Sequence, residues 1–284
     1  MTENLTTIRT VADLRARVAT WRAAGEKVGL VPTMGALHEG HLSLVQAARR
    51  RGADHVVVSV FVNPTQFGPN EDFSKYPRQE ASDAAKLASV GADLLYAPDV
   101  GEMYPDGFST TVHVAGLTEG LCGPLRPGHF DGVATVVSKL LLQCLPDVAV
   151  FGQKDYQQLQ VIRRMVRDLD IPVMIEGAET VRDEAGLALS SRNAYLTPDQ
   201  LTIARQLNTV LFDVAADVAA EPTRCRSAIE WGLERLRAAG FDRIDYLAIC
   251  DAASLEPLEI ADRPARVLAA AFLGRTRLID NIAV

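Results

Sequence analysis

Short apolar runs that alternate with helical segments constrain the fold of this chain most strongly. The run at residues 55–62 is rich in β-branched valine, which favours a buried strand over a helix. Other runs of strand length lie at residues 26–32, 92–97, 147–151 and 171–175. Helical stretches separate these runs, the first of them at residues 38–51. This alternation predicts an α/β fold with a Rossmann-like, doubly wound parallel sheet, because parallel strands need helical crossovers.

A different pattern follows residue 181 and predicts a second, smaller module. A helix should begin at Leu196-Thr197-Pro198-Asp199, and another at residues 221–240 ends at a glycine. Candidate strands then lie at residues 244–250, 267–273 and 278–282. We therefore predict a nucleotide-binding domain over residues 1–180 and a smaller C-terminal α+β domain over residues 181–284.

Composition and charge exclude several classes of function. The net charge of −7 and the pI near 5.3 argue against a nucleic-acid-binding protein, because phosphate backbones require a basic surface. The longest apolar runs are far shorter than the ~18 residues that a membrane span needs. Residues 1–13 are polar and lack the apolar region of a secretory signal, so we expect a cytoplasmic protein. The four cysteines form no C-x-x-C pair, which indicates reduced structural thiols and no zinc ribbon.

The sharpest chemical signal is His38-Glu39-Gly40-His41, placed after the first of these strands and at the start of a helix. Ligands of open α/β sheets bind beyond the carboxyl ends of strands, where free N–H groups at helix N-termini favour phosphate. Two imidazoles three residues apart can share one helix face and donate hydrogen bonds to phosphate oxygens. Gly40 leaves space for a nucleotide against the backbone.

Two other interpretations of this motif compete with phosphate binding. A zinc site is the weaker one, because zincins carry their histidines four residues apart and the spacing here is three. The alternative is that both histidines cap a helix or pack at the surface. The strand-loop-helix context favours phosphate binding.

Three further segments contribute candidate polar groups. Lys154 can place a point charge near a phosphate, and Asp155 stands at a predicted helix start, where an acid is favoured. Ser190-Ser191-Arg192 offers two hydroxyls and a guanidinium on a polar loop, which suits a phosphate clamp. Gln66 follows the valine-rich strand, and its amide suits a substrate with hydroxyls and a carboxylate. Taken alone, each of these could be an ordinary surface group.

The motifs together resemble those of the pantothenate synthetases, a family in the H-x-G-H nucleotidyltransferase group. The resemblance begins with residues 32–41 (PTMGALHEGH) and extends over almost the whole chain. Its further motifs are residues 61–67 (FVNPTQF), 76–78 (YPR), 126–130 (RPGHF), 152–158 (GQKDYQQ) and 190–193 (SSRN).

The resemblance implies an ATP-dependent ligase that activates pantoate as an acyl adenylate and then joins it to β-alanine. It implies that His41, His38 and Lys154 are catalytic, with His41 the preferred proton donor, and that Gln66, Gln158 and Asn63 bind the organic substrates. The implied ATP-binding residues are Met34, Gly35, Ala36, Leu37, His38, Glu39, Gly40, His41, Gly152, Gln153, Lys154, Asp155, Val181, Leu189, Ser190, Ser191 and Arg192. Mg²⁺ and a homodimer are implied as well.

Three departures from the family pattern stand out. Gln153 replaces a common glutamate, Leu189 a common methionine, and Ser82 precedes Asp83 where an acidic pair is frequent. The third departure leaves the protein ligands of magnesium unassigned.

Other functions remain open on the sequence. These are a nucleotidyltransferase that leaves AMP or CMP on its product, a tRNA-charging enzyme and a non-catalytic nucleotide sensor. The Gln66 and Gln158 motifs count against the first of these. The acidic composition counts against the second.

Overall fold

A computed structural model describes residues 5–68 and 73–284 of the chain. Within these residues the strands are β1 (Thr7–Ile8), β2 (Val28–Thr33), β3 (His55–Val60), β4 (Leu94–Tyr96), β5 (Val148–Gly152), β6 (Met174–Ala178), β7 (Arg243–Asp251), β8 (Ala265–Leu273) and β9 (Thr276–Ala283). The α-helices are α1 (Val11–Ala23), α2 (Glu39–Arg50), α3 (Glu80–Ser89), α4 (Val100–Met103), α5 (His129–Cys144), α6 (Tyr156–Asp168), α7 (Pro198–Ala220) and α8 (Cys225–Ala239).

The first six strands form one parallel sheet in the order β1-β4-β3-β2-β5-β6. Its centre is apolar on both faces, and Val56, Val57 and Val58 of β3 have no exposed surface. Burial of each valine contributes roughly 1.5–3 kcal/mol relative to an exposed position. The predicted doubly wound parallel sheet is confirmed.

The last three strands form an antiparallel sheet in the order β7-β8-β9. This sheet and helices α7 and α8 share an apolar core of their own. Thr197 caps α7 in a reciprocal pair with Gln200, and Gly240 ends α8 in the left-handed region at φ +104°. The predicted smaller α+β module is confirmed, whereas the boundary near residue 180 stays a prediction.

The structure corrects several element boundaries. Strand β6 begins at Met174 and not at Ile171, because Pro172 has no N–H to offer the ladder and Val173 bonds locally to the Ile171 carbonyl. Helix α8 begins at Cys225 and not at Glu221, since Pro222–Arg224 form a separate 3₁₀ turn. Strand β1 and helix α1 had no counterpart among the predicted elements.

No helix in the described ranges is both long and apolar enough to cross a membrane. All four cysteines are buried and free of disulfides.

Candidate active site

Three loops with candidate residues leave the same edge of the parallel sheet. They follow strands β3, β2 and β5, which are neighbours in that order. Parallel strands end at one edge. From β2 the chain adds strands to one side of the sheet as far as β4 and then continues on the other side with β5, and open α/β sheets bind ligands at such a switch point. The fold thus brings three segments to one edge of the sheet, namely the motif around His38 and His41, the loop that contains Gln66 and the segment that begins at Gln153.

The two histidines cap the first turn of α2. The Nδ1 atom of His38 accepts the Gly40 backbone N–H at 3.2 Å, and Nδ1 of His41 accepts the His38 backbone N–H at 3.4 Å. Because each Nδ1 is an acceptor, each neutral ring carries its proton on Nε2. Capping and phosphate binding are therefore compatible. The backbone hydrogen bonds to Nδ1 fix the tautomer and leave the Nε2–H group of each ring as the donor for a ligand.

The helix start itself differs from the expectation of free backbone donors. The Gly40 N–H is bound to His38 Nδ1, and the His41 N–H is bound to the His38 carbonyl at 2.8 Å. A phosphate would therefore meet imidazole N–H groups here and not these two backbone groups. The ring centroids of the two histidines lie 4.1 Å apart, so their donors form a pair.

The environment keeps both imidazoles neutral at physiological pH. Burial, with the charges of Lys154 and Lys86, lowers the pKa of His38 to about 4. Burial, with His38 and Lys154 as neighbours, lowers the pKa of His41 to about 3. Both rings can donate a hydrogen bond at neutral pH, but neither is cationic before a ligand arrives.

Lys154 and Asp155 complete what we call the histidine cluster, namely His38, His41, Lys154 and Asp155. Lys154 Nζ lies 3.4 Å from Asp155 Oδ2 in the 3₁₀ turn that follows β5. Burial disfavours the charged carboxylate, but the charge and hydrogen bond of Lys154, with Arg192, hold the pKa of Asp155 below its usual range. Asp155 precedes α6 without a side-chain cap, so its partner is the lysine and not the helix.

The C-terminal sheet holds the loop that presents Lys154. Asn281 of β9 donates to the carbonyls of Gln153 and Lys154, both at 2.9 Å. The Gln153 side chain accepts from Arg266 of β8 at 3.1 Å and donates to the Gly177 carbonyl at 2.8 Å. An amide at position 153 therefore uses both of its functions, which accounts for glutamine at a position where glutamate is common.

The Ser190-Ser191-Arg192 segment directly follows a short hairpin of residues 181–189, which lies beside α2. The Leu189 N–H donates to the Val181 carbonyl at 2.9 Å, and Ser190 caps the 3₁₀ turn Ser191–Tyr195. A Cβ atom added to Gly40 would stand 3.8 Å from Leu189 Cβ, so the hairpin faces the histidine motif. The structure thus brings these predicted residues together.

The same hairpin is attached to the C-terminal module. Arg182 forms two hydrogen bonds with the buried Asp280 of β9, at 2.6 and 2.9 Å, and a third with the Gly186 carbonyl. Bidentate pairs of this kind fix orientation as well as distance. Strand β9 therefore anchors both the Lys154 loop and the serine hairpin.

A cleft of about 770 Å³ lies between the parallel sheet and the C-terminal module. Its lining includes Lys154, Asp155, Ser190 and Arg192, and it does not include His38, His41 or Gln66. A smaller cavity of about 50 Å³ is lined by Gln158, with Lys154 and Asp155. The lysine and its partner acid thus border both spaces.

Neutral groups form a second cluster after strand β3, which we call the amide pocket, namely Asn63, Gln66 and Tyr104. Asn63 Nδ2 donates to Gln66 Oε1 and to the Gly132 carbonyl, both at 3.1 Å. Asn63 Oδ1 accepts from the Tyr104 hydroxyl at 2.9 Å. Burial raises the pKa of Tyr104, which keeps its hydroxyl neutral. Gln66 Nε2 donates to Met34 Sδ at 3.2 Å, a weak acceptor that a substrate oxygen could replace.

Sequence reasoning missed two contributors to this pocket. Tyr104 lies 41 residues from its partner Asn63 and carries no motif of its own. His129 bonds through Nδ1 to the Gln66 carbonyl at 2.8 Å. Its position in the motif of residues 126–130, at the start of a helix, was the available signal.

The described residues do not fit a protein-built magnesium site. They contain no group of three or more histidine, cysteine or acidic side chains placed to hold a metal. Asp83 has no exposed surface, and its two oxygens accept the N–H groups of Ala36 and Leu37. Magnesium commonly binds through phosphate oxygens, water and only one or two carboxylates, so its protein ligands stay unassigned.

Comparison with known proteins gives the family. A family model described as pantoate-beta-alanine ligase matches residues 6–283. The chain belongs to the pantoate-beta-alanine ligase family. The pantothenate synthetase of Paramagnetospirillum magneticum is 62% identical over 277 residues, which cover 98% of this chain and 97% of that protein. That of Rhodospirillum rubrum is 60% identical over 277 residues, with 97% and 98% covered.

Solved structures agree with the family assignment. A crystal structure of the pantothenate synthetase from Thermus thermophilus superposes with a TM-score of 0.92 at 51% identity, covering 98% of this chain and 99% of that one. The Francisella tularensis pantoate-beta-alanine ligase, complexed with beta-gamma ATP and beta-alanine, has a TM-score of 0.80 at 33% identity, with 98% and 97% covered. The predicted family and the prediction of a carbon–nitrogen ligase are confirmed.

Proposed function

We propose that this ligase condenses pantoate with β-alanine in two steps through a pantoyl adenylate. In the first step a pantoate carboxylate oxygen attacks the α-phosphorus of ATP, and pyrophosphate leaves. In the second step the amine of β-alanine attacks the acyl carbon, AMP leaves with its pair of bonding electrons, and the new amide nitrogen releases a proton to solvent. Atoms balance without a protein nucleophile, so the protein acts by positioning and by electrostatic stabilisation.

One observation carries this proposal: two neutral imidazoles with protonated Nε2 atoms lie beside a lysine, at a sheet edge that also bears a neutral amide pocket. Phosphoryl oxygens gain charge during adenylation and need donors that are already in place. Pantoate carries hydroxyls and a carboxylate, which amides and a tyrosine hydroxyl can bind. The two clusters match the two reactants of the first step.

The roles follow the chemistry of each side chain. His38, His41 and Lys154 act on the phosphates around the reacting atom. Ser190, Ser191 and Arg192 hold the rest of the triphosphate. Gln66 and Gln158 bind pantoate, with Asn63 holding Gln66 in place, and Gln66 also meets the incoming amine. The other ATP contacts that the resemblance implies, among them Met34, Glu39, Gly152 and Val181, stay predictions.

Holding the carboxylate in line with the α-phosphorus can supply roughly 7–11 kcal/mol of the barrier. The magnesium ion enters as part of the nucleotide substrate. The C-terminal module, which borders the cleft opposite Lys154, is proposed to limit the access of water to the adenylate.

Exchange of labelled pyrophosphate into ATP tests the two-step scheme. The first step is reversible before the amine arrives, so exchange should require pantoate and proceed without β-alanine. Omission of pantoate is the matched control. Labelled ATP that forms only when β-alanine is present would refute the adenylate intermediate.

The proposal includes a cytoplasmic homodimer. The dimer follows from the family resemblance, and the location is proposed together with it. Sedimentation of the purified protein across a concentration range tests the dimer, which requires about twice the mass of the 30.7 kDa chain. A species that stays at the mass of one chain would refute it.

A further inference from the structure

Helix α3 fixes the backbone loop that leads into the histidine motif. Its residue Asp83 has no exposed surface. Oδ2 of Asp83 accepts the Ala36 N–H and Oδ1 accepts the Leu37 N–H, both at 2.9 Å. Each carboxylate oxygen thus has a backbone partner on a loop 46 or more residues earlier in the chain.

The loop has an unusual backbone conformation that these bonds stabilise. Gly35 has φ +82° and Ala36 has φ +52°, so two consecutive residues lie in the left-handed region. A residue other than glycine holds that conformation only when its surroundings fix it. Successive N–H groups in such turns form a concave site for an anion, and the Asp83 carboxylate occupies the site here.

Other side chains bind the remaining polar groups of the loop. Lys86, one turn after Asp83 on α3, donates to the Leu37 carbonyl at 2.7 Å. The Gly35 N–H donates to Thr33 Oγ1 at 3.2 Å, and the His38 N–H donates to His41 Nδ1. The N–H groups of residues 35–38 all bind side chains of this chain, so they are occupied before any phosphate binds.

We propose that Asp83 is a positioning residue for adenylation: it holds residues 35–37 so that His38 begins α2 with its Nε2–H directed at the bound nucleotide. Asp83 acts through the loop and not as a magnesium ligand, because its oxygens face the Ala36 and Leu37 N–H groups and its side chain has no exposed surface. Lys86 holds the same loop through its hydrogen bond to the Leu37 carbonyl. The inference rests on the adenylation proposed above.

Pyrophosphate exchange with Asp83→Asn tests the assignment. The amide keeps the size of the side chain but turns an N–H₂ group toward one of the two backbone donors. A displacement of about 1 Å at the histidines should lower kcat for exchange by roughly 100-fold. The concentration of magnesium that gives half of the maximal rate should stay unchanged, whereas loss of a metal ligand would raise it.

Lys86→Met is the second variant and keeps the test decisive if Asp83→Asn does not fold. Loss of the carbonyl anchor should lower kcat in the same direction by a smaller factor, again with the magnesium requirement unchanged. Ser82→Ala, an exposed neighbour on α3, is the matched control and should retain wild-type kcat. Circular dichroism of each variant reports on the fold.

Several outcomes would overturn the assignment. Wild-type kcat in folded Asp83→Asn would do so, as would wild-type kcat in Lys86→Met when Asp83→Asn is unfolded. A raised magnesium requirement, with kcat restored at saturating magnesium, would make Asp83 a metal ligand. Absence of pantoate-dependent exchange in the wild type is a separate result that counts against the adenylation scheme itself.

Discussion

The histidine cluster and the amide pocket share one edge of the parallel sheet but use opposite kinds of polar group. The cluster consists of ionisable side chains, and the pKa values of His38, His41 and Asp155 are all lowered by their surroundings. The pocket consists of two amides and a tyrosine. The tyrosine hydroxyl is neutral, because burial raises its pKa further above the physiological range. Under the proposed function, pH dependence and transition-state charge belong to one region, and recognition of the organic substrate belongs to the other.

The largest expected effect is a loss of pyrophosphate exchange when His38 or His41 is replaced. It distinguishes the role of these histidines as phosphate donors from their role in capping α2. His38→Ala and His41→Ala should each slow pyrophosphate exchange by about 100- to 1000-fold, because one donor to a developing charge contributes about 2.7–4 kcal/mol. Since His38 also caps α2, His38→Ala should lower the free energy of unfolding by ~1 kcal/mol.

His38→Asn is the matched control for that prediction. Asparagine is among the best N-cap residues but cannot reproduce the imidazole Nε2–H. This variant should keep wild-type stability in chemical denaturation and lose exchange as His38→Ala does. If exchange is retained in His38→Asn, the histidine serves as a cap alone.

The two glutamines proposed to bind pantoate, Gln66 of the amide pocket and Gln158 of the small cavity beside Lys154, should respond in substrate affinity. Gln66→Ala and Gln158→Ala should weaken pantoate binding by about 1–3 kcal/mol, since each leaves a polar group of the substrate unpaired. The affinity for ATP should change little, and Gln66→Ala alone should raise the KM for β-alanine. Titration calorimetry with ATP and with pantoate measures both affinities.

Asn63→Ala gives the contrast within the pocket. The Asn63 side chain forms its hydrogen bonds with other groups of the protein, so the substitution should reduce stability as well as pantoate affinity. A Gln66 variant that loses ATP affinity and keeps pantoate affinity would contradict the division between the two regions, and the same result for Gln158 would contradict its proposed role.

A pH dependence of stability should come from the histidine cluster. The pKa of His41 is lowered from 6.5 to about 3 in the folded protein, so the unfolded chain binds the proton first as the pH falls. The resulting stabilisation is complete above about pH 6.5 and is lost progressively between about pH 6.5 and pH 3. At pH 5 the loss from His41 alone should be about 2 kcal/mol.

Denaturant titrations at about pH 7.5 and about pH 5, for wild type and His41→Gln, measure this loss. The difference in free energy of unfolding between the two pH values should shrink in the variant by about the same amount. An equal difference in both proteins would mean that His41 titrates normally. Gln66→Ala, from the neutral pocket, should leave the pH difference as it is in the wild type.

The sequence was most informative where local pattern determines structure. The valines of β3 predicted a buried strand, and Thr197-Pro198 predicted the start of α7, because both signals act within a few residues. The β6 boundary shows the limit of that approach. Apolar character suggested Ile171 as its start, but the absent N–H of Pro172 delays the ladder until Met174.

The parts of the site that were not predicted from the sequence depend on contacts between distant segments. The histidine motif was evident, yet its tautomers follow from hydrogen bonds that only the folded turn provides. Asp83 meets Leu37 across 46 residues, and Tyr104 meets Asn63 across 41. Neither pairing produces a periodic pattern in the sequence. The sequence therefore predicted the reactive side chains better than the side chains that hold them in position.

The attachment of the Lys154 loop to Asn281 also sets the order in which the site can be assembled during synthesis. The two residues are separated by 127 positions in the chain. At elongation rates of about 5–20 residues per second, translation from one to the other takes roughly 6–25 s. A growing chain therefore carries its histidines and its lysine for several seconds before the ribosome has made the strand that holds the lysine loop.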